Sequence, residues 1–149
     1  MFTPQEVARI LDTEGCICST VATTHPSPCV KLGMTTVEYP RLMQEQFGGG
    51  LYFTKRDRVK YPNWSDTWQW SINGKACEPI LLQTLPYLKL KKVQAEAALL
   101  MLSTLVGKSK RMTDKQLLLR WTLHELLHKL NKRGPAVNDV IEQLEAAEF

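Results

Sequence analysis

The apolar residues at the start of the chain recur at the spacing of one helix face. The i, i+3, i+4 pattern is formed by Val7, Ile10 and Leu11. Thr3 is suited to the N-cap, Pro4 to the first helical position, and Glu6 completes a capping box. The sequence therefore predicts a helix over residues 4–14.

The predicted helix ends in acidic residues. Asp12 and Glu14 lie two residues apart, and Gly15 follows, a residue suited to a left-handed helix stop. The carboxyl end of a helix is already partially negative, so a carboxylate there is unfavourable without a cation beside it. From the pattern alone, a plain surface acid at Glu14 is the favoured interpretation, with a cation partner as the alternative.

The period changes to two in residues 16–35. The stretches "CICSTVATT" and "CVKLGMT" alternate between apolar residues and small or polar ones, and "HPSP" between them predicts a turn. A hairpin with one apolar and one small, polar face follows from this pattern.

A second unit of the same kind comes next. "VEYPRLMQEQF" returns to helical spacing, "GGG" ends it, and "LYFTKRDR" and "TWQWSIN" predict another hairpin around the loop "VKYPNWSD". Trp68 and Trp70 lie on its apolar side, which predicts core positions rather than base stacking, while Phe53 is ambiguous.

The remainder is helical. Further helices are predicted over about 74–88, 90–106, 114–131 and 136–147. The order is αββαββα with a helical tail, an α+β fold in one domain over 1–149, with a core of about 1–107 and a tail of about 108–149. Helices cover the apolar face of a four-stranded antiparallel sheet. The polar face stays open, and its width suits the DNA major groove.

Composition indicates a folded protein and permits nucleic-acid binding, although any one basic cluster taken alone is more simply a solvated loop. The 149 residues are 44% apolar, contain no long apolar run and lack a signal peptide, so we expect an intracellular protein without a membrane span. Net charge is +4, with basic clusters at 55–60, 89–92 and 108–111. The four cysteines lack zinc-site spacing and are expected to be free, buried thiols.

Four segments resemble the LAGLIDADG homing endonucleases, closest to their single-motif, homodimeric members. "VARILDTEG" matches the family motif, and "FGGGLY" resembles the family's junction from helix to third strand. "LPYLKLKKVQAEAAL" resembles the entry to a late helix, and "RWTLHELLHKLNKRG" the C-terminal helix. The resemblance covers essentially the whole chain and implies the family's fold, with a four-stranded antiparallel saddle sheet.

The resemblance also implies an activity. It is site-specific hydrolysis of double-stranded DNA by a homodimer joined through the helix at residues 4–14, with Mg²⁺ or Mn²⁺ as cofactor and mobility of an intron or intein as context. Glu14 and Gly15 match the metal-binding positions, and Asp12 matches an acid that is structural in the family. Lys91 matches a lysine that stabilises charge, with a solvated lysine as the alternative. Thr36 is a candidate for positioning water, although it also suits the N-cap of the second helix.

The expected DNA-binding residues lie on the open sheet face and in the basic loop beside it. They are Cys18, Thr20, Lys31, Gly33, Thr35, Lys55, Arg56, Arg58, Lys60, Thr67, Gln69 and Ser71. Gln can read adenine and Lys or Arg guanine, while the remaining cations bind phosphates.

One position departs from the motif, and two other functions stay open. The motif's third residue is normally glycine and is Arg9 here, so at a helix–helix contact Arg9 needs an ion pair, with Glu6 or Asp12, or holds the helices apart. A non-cleaving DNA- or RNA-binding protein on the same scaffold, such as a maturase or repressor, is the main alternative. An unrelated α+β interaction module is the other.

Overall fold

The computed structural model describes residues 1–21, 25–104 and 112–132. Its helices are α1 Pro4–Thr13, α2 Glu38–Phe47, α3 Glu78–Thr84, α4 Lys92–Ser103 and α5 Asp114–Leu130. Its strands are β1 Gly15–Val21, β2 Pro26–Met34, β3 Gly50–Thr54 and β4 Thr67–Asn73. Among these helices, none has the length and apolarity needed to cross a membrane.

The four strands form one antiparallel sheet in the order β1-β2-β4-β3. The predicted α+β class, the αββαββα order and the two hairpins are confirmed. Cross-strand partners share a face, and the rows Ile17–Val30–Ile72 and Leu32–Trp70–Leu51 belong to the apolar one.

Helix α1 packs its apolar stripe onto this face. The predicted capping box is present, with the Glu6 N–H donating to Thr3 Oγ1 at 3.2 Å and the Thr3 N–H to Glu6 Oε1 at 3.3 Å. The buried residues of the helix are Val7, Ala8, Ile10 and Leu11. These side chains join the sheet residues and those of α3 and α4 in one core.

The two tryptophans of β4 differ in environment. Trp70 is fully buried, and its indole N–H donates to the Gly48 carbonyl at 2.7 Å, which ties the sheet to the end of α2. Trp68 is half-buried against the exposed Phe53, with ring centroids 4.9 Å apart. The core prediction is confirmed for Trp70 and holds in part for Trp68.

The predicted "HPSP" turn is wrong, because β2 begins at Pro26. Pro26 and Pro28 lie opposite Val21 and Ser19 of β1. Pairing with β4 starts only at Cys29, so this end of β2 has a strand neighbour on one side alone. The missing N–H of a proline is tolerated where no second strand needs it.

Gly15 is not the left-handed helix stop that the sequence predicts. It is buried and already belongs to β1, and Glu14 is the C-cap of α1. A Cβ on Gly15 would lie 2.8 Å from the Cα and 2.7 Å from the Cδ2 of Leu11. Glycine is required here because β1 begins in direct contact with the last turn of α1, which leaves no room for a side chain.

Other element boundaries also differ from the predictions. The helix predicted over 74–88 is α3 flanked by two short 3₁₀ turns, Gly74–Cys77 and Leu85–Tyr87. β3 ends at Thr54, before the basic residues that the sequence placed in the strand. The helix predicted over 114–131 is confirmed as α5, and the one predicted over 136–147 lies outside the described residues.

Helix α5 packs against β1 and against the start of β2. The Asn131 side-chain amide donates to the Ile17 carbonyl at 2.9 Å, and the fully buried Arg120 donates through Nε to the Pro26 carbonyl at 2.8 Å. These bonds satisfy strand carbonyls that lack a neighbouring strand, and they protect the sheet edge from other chains.

The contact between Gly15 and Leu11 leads to a prediction about stability. Gly15→Ala is expected to lower the free energy of unfolding by about 1–3 kcal/mol, because the added methyl overlaps backbone atoms of α1. Gly33→Ala is the matched control, since a Cβ there meets nothing within 4 Å. Urea denaturation of both variants measures the difference, and equal midpoints would contradict this explanation of Gly15.

Candidate functional site

Glu14 lies exposed at the end of α1. Its backbone N–H donates to the Ile10 carbonyl at 2.8 Å, which closes the last turn of the helix. Within the described residues its carboxylate makes no hydrogen bond and no ion pair. The acid that the sequence singles out is therefore held by its backbone and leaves its two oxygens available to a cation.

Asp12 has a different part. Its carboxylate accepts hydrogen bonds from the backbone N–H groups of Lys89, Leu90 and Lys91 at 2.8, 3.1 and 3.0 Å. These groups directly precede α4, so Asp12 neutralises the positive, donor-rich entrance of that helix. The geometry agrees with the structural role that the resemblance implies for Asp12.

Lys91 makes the reciprocal contact. Its ammonium group donates to the carbonyls of Leu11, Asp12 and Gly15, the first two at 2.7 and 3.2 Å. The carbonyls at the end of a helix lack intrahelical partners, and a cation satisfies them while offsetting the negative dipole end. Burial lowers the pKa of Lys91, and the Cys16 thiol and the Asp12 carboxylate oppose that shift.

Together Asp12 and Lys91 form what we call the α1–α4 clasp. An acid on α1 caps the start of α4, and a base at the start of α4 caps the end of α1. The clasp fixes the position of Glu14 and places a positive charge near it. The Gly15 carbonyl already accepts a bond from Lys91, and its second lone pair remains for another ligand.

The donor set at this helix end suits magnesium. No three His, Cys, Asp or Glu side chains of the described residues converge into a metal cage. Mg²⁺ does not need one, because it is commonly bound by one or two carboxylates together with phosphate oxygens and water. Glu14 and the Gly15 carbonyl are the groups on this chain that would hold it.

Thr36 lies away from these bonds. It is exposed in the turn between β2 and α2, and no hydrogen bond among the described residues joins it to Glu14 or Lys91. Val37, not Thr36, is the N-cap residue of α2, and no side-chain hydrogen bond caps this helix. The N-cap interpretation of Thr36 is therefore wrong, and its part in positioning water stays a prediction.

The second feature of the site is the open sheet face. Cross-strand register places the predicted strand residues on it together: Cys18 and Thr20 of β1, Lys31 and Gly33 of β2, and Thr67, Gln69 and Ser71 of β4. Lys31 lies opposite Ser71, and Gly33 opposite Gln69. Thr35 is exposed directly after β2.

The same face carries residues that the sequence analysis missed. Tyr52, 60% exposed, is opposite Gln69, and Asn73 is exposed opposite Cys29. Cys16 and Ser27 also belong to the face. The alternation of β3 would have assigned Tyr52 to it, because Tyr52 is out of phase with Leu51 and Phe53.

The cysteines are free but not all buried. Cys29 and Cys77 are buried, whereas Cys16 and Cys18 are half-buried on the open face. A hydrogen bond from Cys18 lowers the pKa of the Cys29 thiol, and burial raises that of Cys77 to about 12. Small, uncharged thiols thus occupy the part of the open face nearest the end of α1.

The loop between β3 and β4, residues 55–66, is ordered by its own side chains. The Arg56 guanidinium lies over Trp64, 5.4 Å from the ring centroid, and Trp64 stacks on Tyr61 with centroids 4.4 Å apart. The Lys60 ammonium lies 5.4 Å from the Tyr61 ring centroid. Two stacked rings thus lie between two cations, and Trp64 is half exposed.

Asp66 cross-links the two halves of this loop. It accepts from the Arg56 N–H at 2.8 Å and pairs with Arg58 at 3.6 Å, while Arg58 also donates to the Trp64 carbonyl at 2.9 Å. Three of the four predicted loop cations therefore have defined positions, and Lys55 is exposed. The sequence shows the charges, but not that aromatic rings and one acid would order them.

Comparison with solved structures identifies the class of fold. The homing endonuclease I-CvuI, in complex with its target and in the presence of calcium, matches with a TM-score of 0.66 at 21% identity, over 97% of this chain and 93% of that one. The archaeal intron-encoded homing endonuclease I-Vdi141I, complexed with DNA, matches with a TM-score of 0.64 at 16% identity, over 97% and 96%. The chain has the LAGLIDADG homing-endonuclease fold, as the resemblance implies.

In a third solved structure, this chain corresponds to half of the neighbour's length. The LAGLIDADG homing endonuclease I-GzeII, in complex with its DNA target, matches with a TM-score of 0.63 at 12% identity, over 97% of this chain and 50% of that one. No family model and no curated protein matches the sequence. The assignment of the fold thus rests on the three-dimensional arrangement.

The α1–α4 clasp leads to a second prediction. Lys91→Met is expected to lower the free energy of unfolding by about 2 kcal/mol, because three carbonyls lose a charged donor. Lys92→Met is the matched control, since the neighbouring Lys92 is exposed and makes no such bond. Equal urea midpoints for the two variants would show that the clasp does not stabilise the fold.

Proposed function

We propose that the protein is a site-specific endonuclease that hydrolyses double-stranded DNA as a homodimer with Mg²⁺ or Mn²⁺. The observation that carries the proposal is the exposed carboxylate of Glu14, which has no partner among the described residues and lies at a helix end that Lys91 has already neutralised. Such a carboxylate is available to a cation shared with a phosphate. An intracellular place of action and the mobility of an intron or intein belong to the same proposal.

The chain's own groups have distinct parts in this reaction. Glu14 supplies an anionic oxygen and Gly15 a carbonyl oxygen to the metal, and Asp12 keeps the end of α1 in place. A bound divalent cation would polarise the phosphodiester, activate a water and stabilise the leaving oxygen. The Lys91 ammonium adds positive charge beside the developing negative charge. Thr36 is proposed to position water.

Homodimerisation follows from the number of carboxylates. One chain offers one Glu14, whereas cutting both strands needs two such groups. Beside α1 lies a cavity of about 630 Å³ whose lining includes Arg9, Tyr87 and Leu90. Leu90 is 71% exposed and Tyr87 44% exposed, so the two side chains offer an apolar surface to a partner's α1.

Arg9 is compatible with this dimer. It is exposed at the side of the cavity, and within the described residues it has no ion pair with Glu6 or Asp12. Those two acids are already engaged, Glu6 in the capping box and Asp12 in the clasp. We therefore expect Arg9 to extend along the groove, where an acid of the second copy can meet it.

The role of Glu14 leads to a third prediction. Glu14→Gln is expected to reduce Mg²⁺-dependent cleavage of a selected DNA target at least about a hundredfold, because the amide cannot supply the anionic oxygen. DNA binding is expected to persist. Glu45→Gln, which changes an exposed acid on α2, is the control and should cleave normally.

The same experiment tests the dimer and the alternative function. Mixed dimers of wild type and Glu14→Gln should nick one strand and leave the other intact. Cleavage of both strands by the mixed dimer, or full activity of the variant alone, would contradict the assigned role. Binding without cleavage by the wild type in any divalent metal would indicate a non-cleaving DNA-binding protein.

The open face and the loop are proposed to read bases and to bind phosphates respectively. Gln69 lies in the middle of the face, and an amide side chain can pair with adenine in the major groove. The loop residues Arg56, Arg58 and Lys60 are held in place for phosphate contacts at the side of the sheet.

Substitutions in the open face and in the loop are therefore expected to have different effects. Gln69→Ala is expected to relax sequence preference at one base pair by about 1–3 kcal/mol. Lys55→Gln is expected to weaken binding of all sequences alike and to reduce the salt slope of log K by about one unit. Binding selections at several salt concentrations measure both, and identical profiles for the two variants would refute the division.

A further inference from the structure

The sequence "HELLH" on α5 has the spacing of a metal-binding helix. His124 and His128 are four residues apart, so their side chains lie on the same face, one turn from each other. Two histidines at this spacing on a helix, separated by Glu and two other residues, are a known arrangement for zinc ligation. None of these residues takes part in the site at the end of α1.

The structure brings the two imidazoles to one cavity. This cavity has a volume of about 270 Å³, and among the described residues it is lined by His124, Glu125, His128, Lys129 and Lys132. Since both rings line the same space, one ion there can reach both.

A residue of the sheet orients the first imidazole. Ser19 Oγ of β1 is hydrogen-bonded to His124 Nδ1. Histidines that bind metals usually use the other ring nitrogen for such a bond, because it sets the tautomer and the direction of the ring. In the tautomer in which Nδ1–H donates to Ser19 Oγ, Nε2 of His124 carries the free lone pair, and this is the tautomer that the proposal requires. The edge of the Trp121 ring lies against the same imidazole, with centroids 5.7 Å apart.

We propose that His124 and His128 form a second metal site, selective for a borderline transition-metal cation such as Zn²⁺ or Ni²⁺. Imidazole binds these ions well and Mg²⁺ poorly. The two lysines beside the cavity disfavour ions that are held by charge alone, so nitrogen coordination is the basis of selectivity. Glu125 lines the same cavity, but no group of three His, Cys, Asp or Glu side chains among the described residues is placed to hold a metal ion, so the proposal assigns the remaining coordination positions to water.

The site has a consequence for the fold. An ion held by both rings would link two turns of α5 and fix His124 in its contact with β1, against which this helix packs. Binding only to the folded state raises stability with metal concentration. Transition metals are therefore expected to raise the melting temperature of the protein, whereas Mg²⁺ is not expected to act through this site.

Titration of the folded protein with Ni²⁺, followed by NMR of the imidazole groups, tests the proposal. Paramagnetic Ni²⁺ is expected to broaden the signals of His124 and His128 at substoichiometric amounts and to leave His25 sharp. His128→Gln should remove the broadening at His124. Ser19→Ala should weaken binding about tenfold, because the ring loses its orienting partner.

Two controls separate this site from others. Glu125→Gln should retain Ni²⁺ binding, since the proposal assigns coordination to the imidazoles, and Glu14→Gln should retain it too. Broadening that appears equally at His25, that survives His128→Gln, or that arises only near the cysteines of β1 would overturn the proposal. Loss of DNA cleavage would have no bearing on this result, so the two proposals can fail separately.

Discussion

The α1–α4 clasp is the interaction on which the candidate site depends. Asp12 and Lys91 are 79 residues apart in the chain. Asp12 accepts from free N–H groups at the start of α4, and Lys91 donates to free carbonyls at the end of α1. The last turn of α1 leaves carbonyls unpaired and the first turn of α4 leaves N–H groups unpaired, so packing the two ends together would be unfavourable without hydrogen-bond partners for these groups. The clasp joins the two helix ends, and the exposed Glu14 carboxylate beside it has no partner among the residues that the structure describes.

Around this junction the sheet separates the packed core from the open polar face that we propose for DNA recognition. One face of the sheet is covered by helices and holds the core, with Trp70 at its centre. The other face presents short polar groups with Gln69 and Tyr52 among them, and the loop at its side carries ordered cations. A backbone held by a dry core can present such a face with little movement, which is what reading a groove requires.

Much of this could be predicted from local pattern. Periods of 3.6 and 2 identified the elements, the capping box located the start of α1, and alternation assigned Lys31 and Gln69 to one face. The predictions that failed concern residues whose conformation depends on neighbouring strands and helices. Proline was tolerated in β2 because β4 does not reach that end, and Gly15 serves close packing rather than a left-handed turn.

Periodicity and the direction of a helix dipole predict the order of elements, the open polar face and the unusual acid at Glu14 from the residues alone. The folded chain is needed to see that Lys91 binds the carbonyls at the end of α1, that aromatic rings order the basic loop, and that Ser19 contacts His124. These contacts join residues far apart in the chain, and no local spacing encodes the distance between them.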